Sequence, residues 1–376
     1  MHKSKILFIL HLPPPTHGSS VVGKNIQRST LINDTFHCKY VNLNTSKNTT
    51  DIGKRSIYKV FIYISILLHT FWHAVTFRPH LCYFAITIKG IGFYKDSLVV
   101  LLLKLFGIKL VFHLHNKGVT SRQHKYFDNF LYKVIFKNVT FVLLSEYLYP
   151  DIQKYVSRDS VYYCPNGIDF EQQNTNHIVD KFNEAEYRPK TVKILFLSNL
   201  IETKGVYVLL DACKILHNQR LNFRCTFVGG EGDITQQKIC EKIRSLNMNG
   251  SIQYLGKKYG REKETIYSET DIFAFPTFYH NECFPLVLLE AMKHSLPVIS
   301  TTEGGIRSIV IEGKTGFLVK KGNPEELAKK LRILITNPTL RQTLGSAARI
   351  KFEREYTISK FETNLVQILK SILNID

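Results

Sequence analysis

The chain has 376 residues, too many for one ordinary core, and its 44% hydrophobic and 22% charged residues exclude a disordered protein. Seven cysteines, an odd number with no C-x-x-C pair, argue against a disulfide framework or a zinc site and fit a reducing cytoplasm. The net charge of +19 is uneven: residues 1–160 hold 21 Lys and Arg against 7 Asp and Glu, a balance of +14 that leaves +5 for the rest, so nucleic acid, anionic lipid headgroups and phosphorylated substrates all stay open as partners.

The first element, KILFIL, reads as a buried strand, followed by the turn HLPPPTHGSS and a helix through VVGKNIQRSTLI. Strand, glycine-containing turn and helix form the α/β unit whose helix N-terminus can receive an anion. Further strands are predicted at CKYVNL, HLCYFAI, KLVFHLH and VTFVLLS, with helical runs at 54–76 and 95–106 between them. This alternation implies a mostly parallel sheet wound on both faces. The longest apolar run, VFIYISILLHTFWHAV, falls short of about 20 residues and contains His69 and His73, so no membrane span is expected. The N-terminus does not have the form of a cleavable signal either, since MHKSKILFIL runs straight into the PPPTHG turn.

Around 171–190 the chain turns polar, as a linker or a domain's outer loop does. The alternation then restarts with strand KILFLS, helix GVYVLLDACKIL, strand FRCTFVGG, helix QQKICEKIRSL and strand IQYLG. It continues through DIFAFPT, a helix from 285, strand LPVIST and GFLV, and closes on three amphipathic helices, PEELAKKLRILI, PTLRQTLGSAARIKFERE and ISKFETNLVQILKSIL. Two α/β domains are the expected architecture, with ligands at the carboxyl ends of the strands between them.

Within NECFPLVLLEAM, Glu282 and Glu290 stand with seven residues between them around an almost wholly apolar run. Pro285 suits the first helical position, because its missing N–H is not needed there. Glu282 then precedes the helix and Glu290 lies about 7–8 Å along its axis. The first-turn amides, beginning around Leu286, carry partial positive charge and suit a phosphate. Carboxylates on either side can accept from sugar hydroxyls. A sugar, a diphosphate and a second sugar fit that geometry, which describes a nucleotide sugar. Without its neighbours the pair reads as two solvated acids, one of them stabilising a helix N-terminus.

Those neighbours resemble the family 4 glycosyltransferases of the GT-B fold. NECFPLVLLEAMKHSLPVISTTEGGIRSIVIEGKTGFLV (281–319) follows their signature almost throughout. CPNGIDF (164–170) matches the passage into their second domain, FLSNLIETKGVYVLLDA (196–212) their donor-phosphate strand and helix, and HLPPPTHGSS and VFHLHNKG their N-domain loops. The resemblance implies two Rossmann-like doubly wound α/β domains facing a cleft. Residues 1–170 would form the acceptor side, 171–357 the donor-binding domain, and a helix at about 358–376 would pack back on the first. It implies a retaining enzyme that moves a hexose-type sugar from a nucleoside diphosphate sugar to a saccharide, or lipid-linked saccharide, in capsule, lipopolysaccharide or exopolysaccharide assembly.

Carried over residue by residue, the resemblance gives Glu282 the transferred hexose, and the amides around Phe284 and Leu286 its hydroxyls and the distal phosphate. Pro285, in the same donor-binding stretch, replaces a frequent glycine and removes one possible amide donor. Glu290 would take the ribose hydroxyls and Lys204 the diphosphate leaving group. Gly18 would let the first loop approach that diphosphate, since no side chain stands in the way. Gly256 marks the neighbourhood of the base, and His115 lies near the reacting sugar. The family's usual Gly-Arg is here Ser198-Asn199, which removes one cation; Lys257 or Lys258 could compensate. No cofactor or metal is called for, and no Asp-x-Asp occurs.

His113 shares a strand face with His115, so the two can be confused. FVGGEGD lacks full dinucleotide-loop spacing and reads as a turn. The basic, aromatic segment 54–80 reads first as a core helix with a charged rim. Its second reading is a surface resting on an anionic membrane, which would make a cytoplasmic protein peripheral at the inner face. Two other functions are weighed: a nucleotide-sugar epimerase of the same architecture, and a basic nucleic-acid binder. The chain shows no recognisable groove-reading or base-stacking module for the latter, so no nucleic-acid partner is expected.

Overall fold

Strand β1 (Lys5–Leu10) is buried from Ile6 onward, as a strand covered on both faces must be. The computed structural model describes residues 3–15, 18–44, 57–170, 191–248 and 250–375; the expected linker at 171–190 lies outside them. The chain divides into two compact units, Met1–Gly167 with Ile358–Asp376, and Ile168–Thr357, so the boundary falls slightly before residue 170.

In the first unit β1 is joined by β2 (His37–Asn42), β3 (Leu81–Phe84), β4 (Lys109–Leu114), β5 (Thr140–Leu143) and β6 (Val161–Tyr163). They form one sheet in the order β2-β1-β3-β4-β5-β6, every pair parallel. The helices are α1 (Gly18–Arg28), α2 (Thr30–Thr35), α3 (Ile57–Trp72), α4 (Gly90–Leu105), α5 (Val119–Arg122) and α6 (Tyr126–Ile135). The single helix expected through residue 32 is two, because Ser29 adopts extended geometry and its hydroxyl caps α2 by accepting from the Ile32 amide at 3.2 Å. Helix α4 opens at Gly90, five residues before the expected run, and α3 ends in a π-turn over His73–Phe77.

The second unit runs β7 (Val192–Leu197), α7 (Val206–Asn218), β8 (Phe223–Val228), α8 (Gln236–Ser245), β9 (Ile252–Tyr254), α9 (Gly260–Ser268) and β10 (Ile272–Phe275). It continues through α10 (Leu286–Lys293), β11 (Val298–Thr301), α11 (Ile306–Ile309), β12 (Gly316–Val319), α12 (Pro324–Thr336) and α13 (Pro338–Glu355). Its sheet order is β12-β11-β10-β7-β8-β9, again wholly parallel. Both units are thus open, doubly wound α/β sheets.

The last helix, α14 (Ile358–Leu373), belongs to the first unit. Phe361, Leu365, Leu369 and Ile372 recur at helical spacing and join Phe8, Tyr83 and Val111 in one buried cluster.

Helix α3 departs from the core-helix expectation. Ile66 and Thr70, with Ala74 and Phe77 of the π-turn, are buried, but Ile57, Phe61, Leu68 and Trp72 are exposed. Helix and π-turn together also give an 18-residue stretch, Val60–Phe77, apolar enough to cross a bilayer by length and composition, at a mean hydropathy of 1.6 and with 22% of it buried. The run read from the sequence ended at Val75, inside the π-turn, and the two further residues of the turn, Thr76 and Phe77, complete the 18-residue stretch.

Candidate active site

Strand β7 lies between β8 and β10, so the chain leaves its carboxyl end where the sheet order reverses, the place where open α/β sheets take ligands. Ser198 and the exposed Asn199 follow directly. The Ser198 carbonyl packs onto Gly229, at φ +152°, so closely that a Cβ there would stand 1.7 Å from the oxygen. Close packing explains Gly229 of FVGGEGD, and the segment after Val228 is the loop that leaves β8. The Gly229 amide donates to the Gly256 carbonyl at 2.9 Å, which sets Gly256 beside the same turn.

Lys204 ends a short 3-10 turn, Glu202–Lys204, and Gly205 at φ +90° opens α7. The Lys204 ammonium donates to the Ser198 hydroxyl at 3.0 Å and stands 3.9 Å from Glu282 Oε2, with the Tyr279 ring 5.6 Å away. The side chains of Lys204 and Glu282 are 19% and 13% exposed, so their charges meet where water screens poorly. Ser198, where the resemblance leads one to expect glycine, therefore has a structural role, because its hydroxyl fixes the ammonium.

Two backbone contacts hold the Glu282 loop. The Phe278 amide donates to the Thr203 carbonyl at 2.7 Å, tying the loop to the Lys204 turn, and the Gly305 amide donates to the Cys283 carbonyl at 2.7 Å. Gly304, at φ +53°, comes so near that a Cβ would lie 2.2 Å from the Glu282 carbonyl oxygen. Phe284 is buried with its ring 5.8 Å from that of Tyr356. Pro285 is the residue before the helix and not its first residue: it is extended at ψ 116°, and α10 begins at Leu286. The Leu286 and Val287 amides have no carbonyl within the helix to bond, as at any helix start.

Glu290, on α10, is engaged by side chains of α9. Lys263 Nζ donates to its Oε1 at 2.7 Å and the Tyr267 hydroxyl to its Oε2 at 3.0 Å. The Tyr267 ring stacks on His294 at 5.3 Å with the planes 7° apart. His294 Nε2 lies 2.9 Å from Glu264 Oε2, to which Lys293 Nζ also donates at 3.1 Å. The His294 bond, opposed by burial and reinforced by Lys293, holds the Glu264 carboxyl down at about 2. A carboxylate has about four acceptor sites, so Glu290 retains capacity for hydroxyl donors. Sequence reasoning missed Lys263, Glu264, Tyr267 and His294. A faint signal exists in Lys263 and Tyr267, one helical turn apart. Of the two proposed substitute cations, Lys258 is bound to Glu262 at 2.7 Å, and Lys257 lies against Gly230.

In the first unit, β1 lies between β2 and β3, and Gly18 opens α1 with no atom within 4 Å of where a Cβ would be. His115 follows β4, half-buried, its ring 4.2 Å from that of His113. The two histidines are distinct in kind. His113 is fully buried and hydrogen-bonded to the Tyr83 hydroxyl, and burial, with His115 beside it, keeps it well below the usual histidine range. His115 is the member at the strand end. Of the sequence-predicted residues, the structure brings Ser198, Lys204 and Glu282 together in the second unit, with Glu290 further along the helix that follows Glu282.

Two doubly wound parallel sheets, one bearing this lysine–glutamate pair before a helix start, define an α/β protein of the GT-B type. Residues 179–351 match the family model "Glycosyl transferases group 1". Among curated relatives, the capsular polysaccharide biosynthesis glycosyltransferase CapM of Staphylococcus aureus is 29% identical over 195 residues, 51% of this chain and 49% of that protein. The chain thus spans about half the length of the curated relatives it matches. Among solved structures, HepE of Anabaena in complex with UDP gives a TM-score of 0.75 at 16% identity, covering 98% of this chain and all of the other. A further HepE structure holds UDP-glucose, with a TM-score of 0.70, 16% identity and coverage of 98% and 99%. The lipopolysaccharide outer core galactosyltransferase WaaB gives 0.72 at 16% identity, covering 98% and 99%. These likenesses establish the fold. None of these relatives supports the epimerase alternative.

Proposed function

We propose that the protein transfers a hexose from a nucleoside diphosphate sugar, with uridine as the favoured base, to a hydroxyl of a lipid-linked saccharide during assembly of a bacterial surface polysaccharide. The observation that carries this reading is the Lys204 ammonium, 3.9 Å from Glu282 and held by Ser198, at the sheet's reversal point. The bond from the anomeric carbon to the diphosphate oxygen breaks, a bond to the acceptor oxygen forms, and the acceptor proton leaves with the nucleoside diphosphate. Lys204 and the amides at the start of α10 would stabilise the charge developing on the diphosphate. Glu282 would position the sugar and Glu290 the ribose, while His115 and Gly18 of the first unit would keep the roles that the resemblance gives them, near the reacting sugar and at the diphosphate. The names of the relatives support this: CapM is assigned to capsule and WaaB to lipopolysaccharide core, and HepE binds UDP and UDP-glucose.

Retention at the anomeric carbon, independence of metal and a location at the cytoplasmic face of the membrane belong to the same proposal. The test is incubation of the full chain with UDP-, GDP- and ADP-sugars and a lipid-linked saccharide, with and without EDTA, followed by anomeric analysis of the product. Transfer from the UDP-sugar, unaffected by EDTA and with the donor's anomeric configuration kept, is expected. An inverted product, or transfer only with added metal, overturns the corresponding part. No nucleotide release from any donor overturns the whole.

A further inference from the structure

We infer that α3 is a lipid-binding element that lies in the plane of an anionic membrane surface, its outer stripe sunk among the acyl chains. Ile57, Phe61, Ile64, Leu68, Phe71 and Val75 recur at steps of three and four residues, so they form one face, and all are exposed. Ile57 is 78% exposed, Phe61 66%, Leu68 62% and Trp72, beside the stripe, 63%. Exposed apolar surface also continues past α3, where the Phe71 ring meets Phe106, itself exposed, at 5.7 Å. An apolar face of this extent marks an interaction surface.

Charge selects the occupant. Helix α3 contains no acid, and the only acids of α4 and α6, Asp96 and Asp128, are buried. Cations border the face: Lys95 stands 5.7 Å over the Tyr63 ring, and exposed Arg78 donates to the Val75 carbonyl at 3.2 Å. At the far end of α4, Lys104 donates to the carbonyls of Val134 and Lys137 at 2.8 and 2.7 Å. Among the described residues, apolar and aromatic side chains bordered by these cations suit anionic headgroups over acyl chains. A spanning arrangement conflicts with the packing. The opposite face of the helix is sealed against the first unit through Ile66 and Thr70, and the Tyr63 hydroxyl donates to the Lys95 carbonyl. Lipid can therefore reach only one side.

Trp72 is the chain's single tryptophan, so its emission reports this face alone. The experiment mixes the full chain with vesicles of phosphatidylcholine alone, or of phosphatidylcholine with phosphatidylglycerol, with and without bromine-labelled acyl chains. A blue shift with the anionic vesicles, quenched by the brominated chains and lost at high salt, is the expected result. The double variant Phe61→Gln, Leu68→Gln, at exposed positions, should bind about ten-fold or more weakly. Should that variant not fold, quenching in the native chain decides the matter. Absence of a shift overturns the proposal. So does a shift without lipid that grows with protein concentration, which would mean a second copy covers the face. Equal binding to neutral vesicles removes the role of charge, and resistance to alkaline extraction from cell membranes would mean that the helix spans. None of these readouts depends on sugar transfer.

Discussion

Replacing Lys204 with methionine keeps most of the length of the side chain and removes its charge. In the structure the ammonium lies within 4 Å of both the Ser198 hydroxyl and the Glu282 carboxylate. A diphosphate oxygen at a similar distance from a unit positive charge would gain about 4 kcal/mol at an effective dielectric of about 20. Part of that is offset, since the ammonium must share itself with Glu282. Removing it also leaves the carboxylate facing the incoming anion. A net loss of about 3–4 kcal/mol of transition-state stabilisation corresponds to a fall of about 10²–10³ in kcat/KM. Ser198→Ala removes only the hydroxyl that fixes the ammonium, so about 1 kcal/mol, or about five-fold, is expected. Both variants would be assayed by initial rates of nucleotide release at varied donor concentration, with thermal melts to confirm folding. A Lys204→Met protein that folds and works within about three-fold of the native rate would refute the reasoning.

Lys263→Met and Tyr267→Phe each delete one donor to Glu290, so the KM for the donor should rise about five-fold with kcat little changed, read by steady-state kinetics. Gly304→Ala puts a Cβ 2.2 Å from the Glu282 carbonyl oxygen at a left-handed backbone position, so a loss of about 2 kcal/mol, a melting point lower by several degrees and reduced activity are expected. Glu264, held near 2 against an ordinary 4.5, contributes stability that is complete above about 4.5 and disappears as the pH falls toward 2. Glu264→Gln should therefore cost on the order of 1 kcal/mol at neutral pH, after screening at a partly exposed site, and nothing near pH 2, as urea unfolding would show.

Periodicity carried the alternating strands and helices, because a strand buried on both faces has few alternative readings. The Glu282–Glu290 run lies within one continuous segment, so its spacing was legible directly. The partners of those acids were not. Lys263 reaches Glu290 from a helix more than twenty residues earlier, and Ser198 reaches Lys204 across a turn, so only the folded sheet brings them together. Helix α3 shows a different limit. A stripe at steps of three and four residues looks the same whether it faces a protein core or lipid, and the exposure of Phe61 and Leu68 had to be seen. The break at Ser29 was hidden because apolar residues continue on both sides of the cap.

The chain leaves its first unit at Gly167 and returns to it at Ile358. On a ribosome the second unit emerges as one uninterrupted piece, while the first waits for α14, the final described helix to be synthesised. Until it arrives, Phe8, Tyr83 and Val111 lack the side chains of Phe361, Leu365 and Leu369 that complete their cluster. A nascent chain therefore carries a half-built hydrophobic layer through most of translation, a natural handhold for a chaperone. A premature stop codon only a few codons into α14 would leave that layer permanently open.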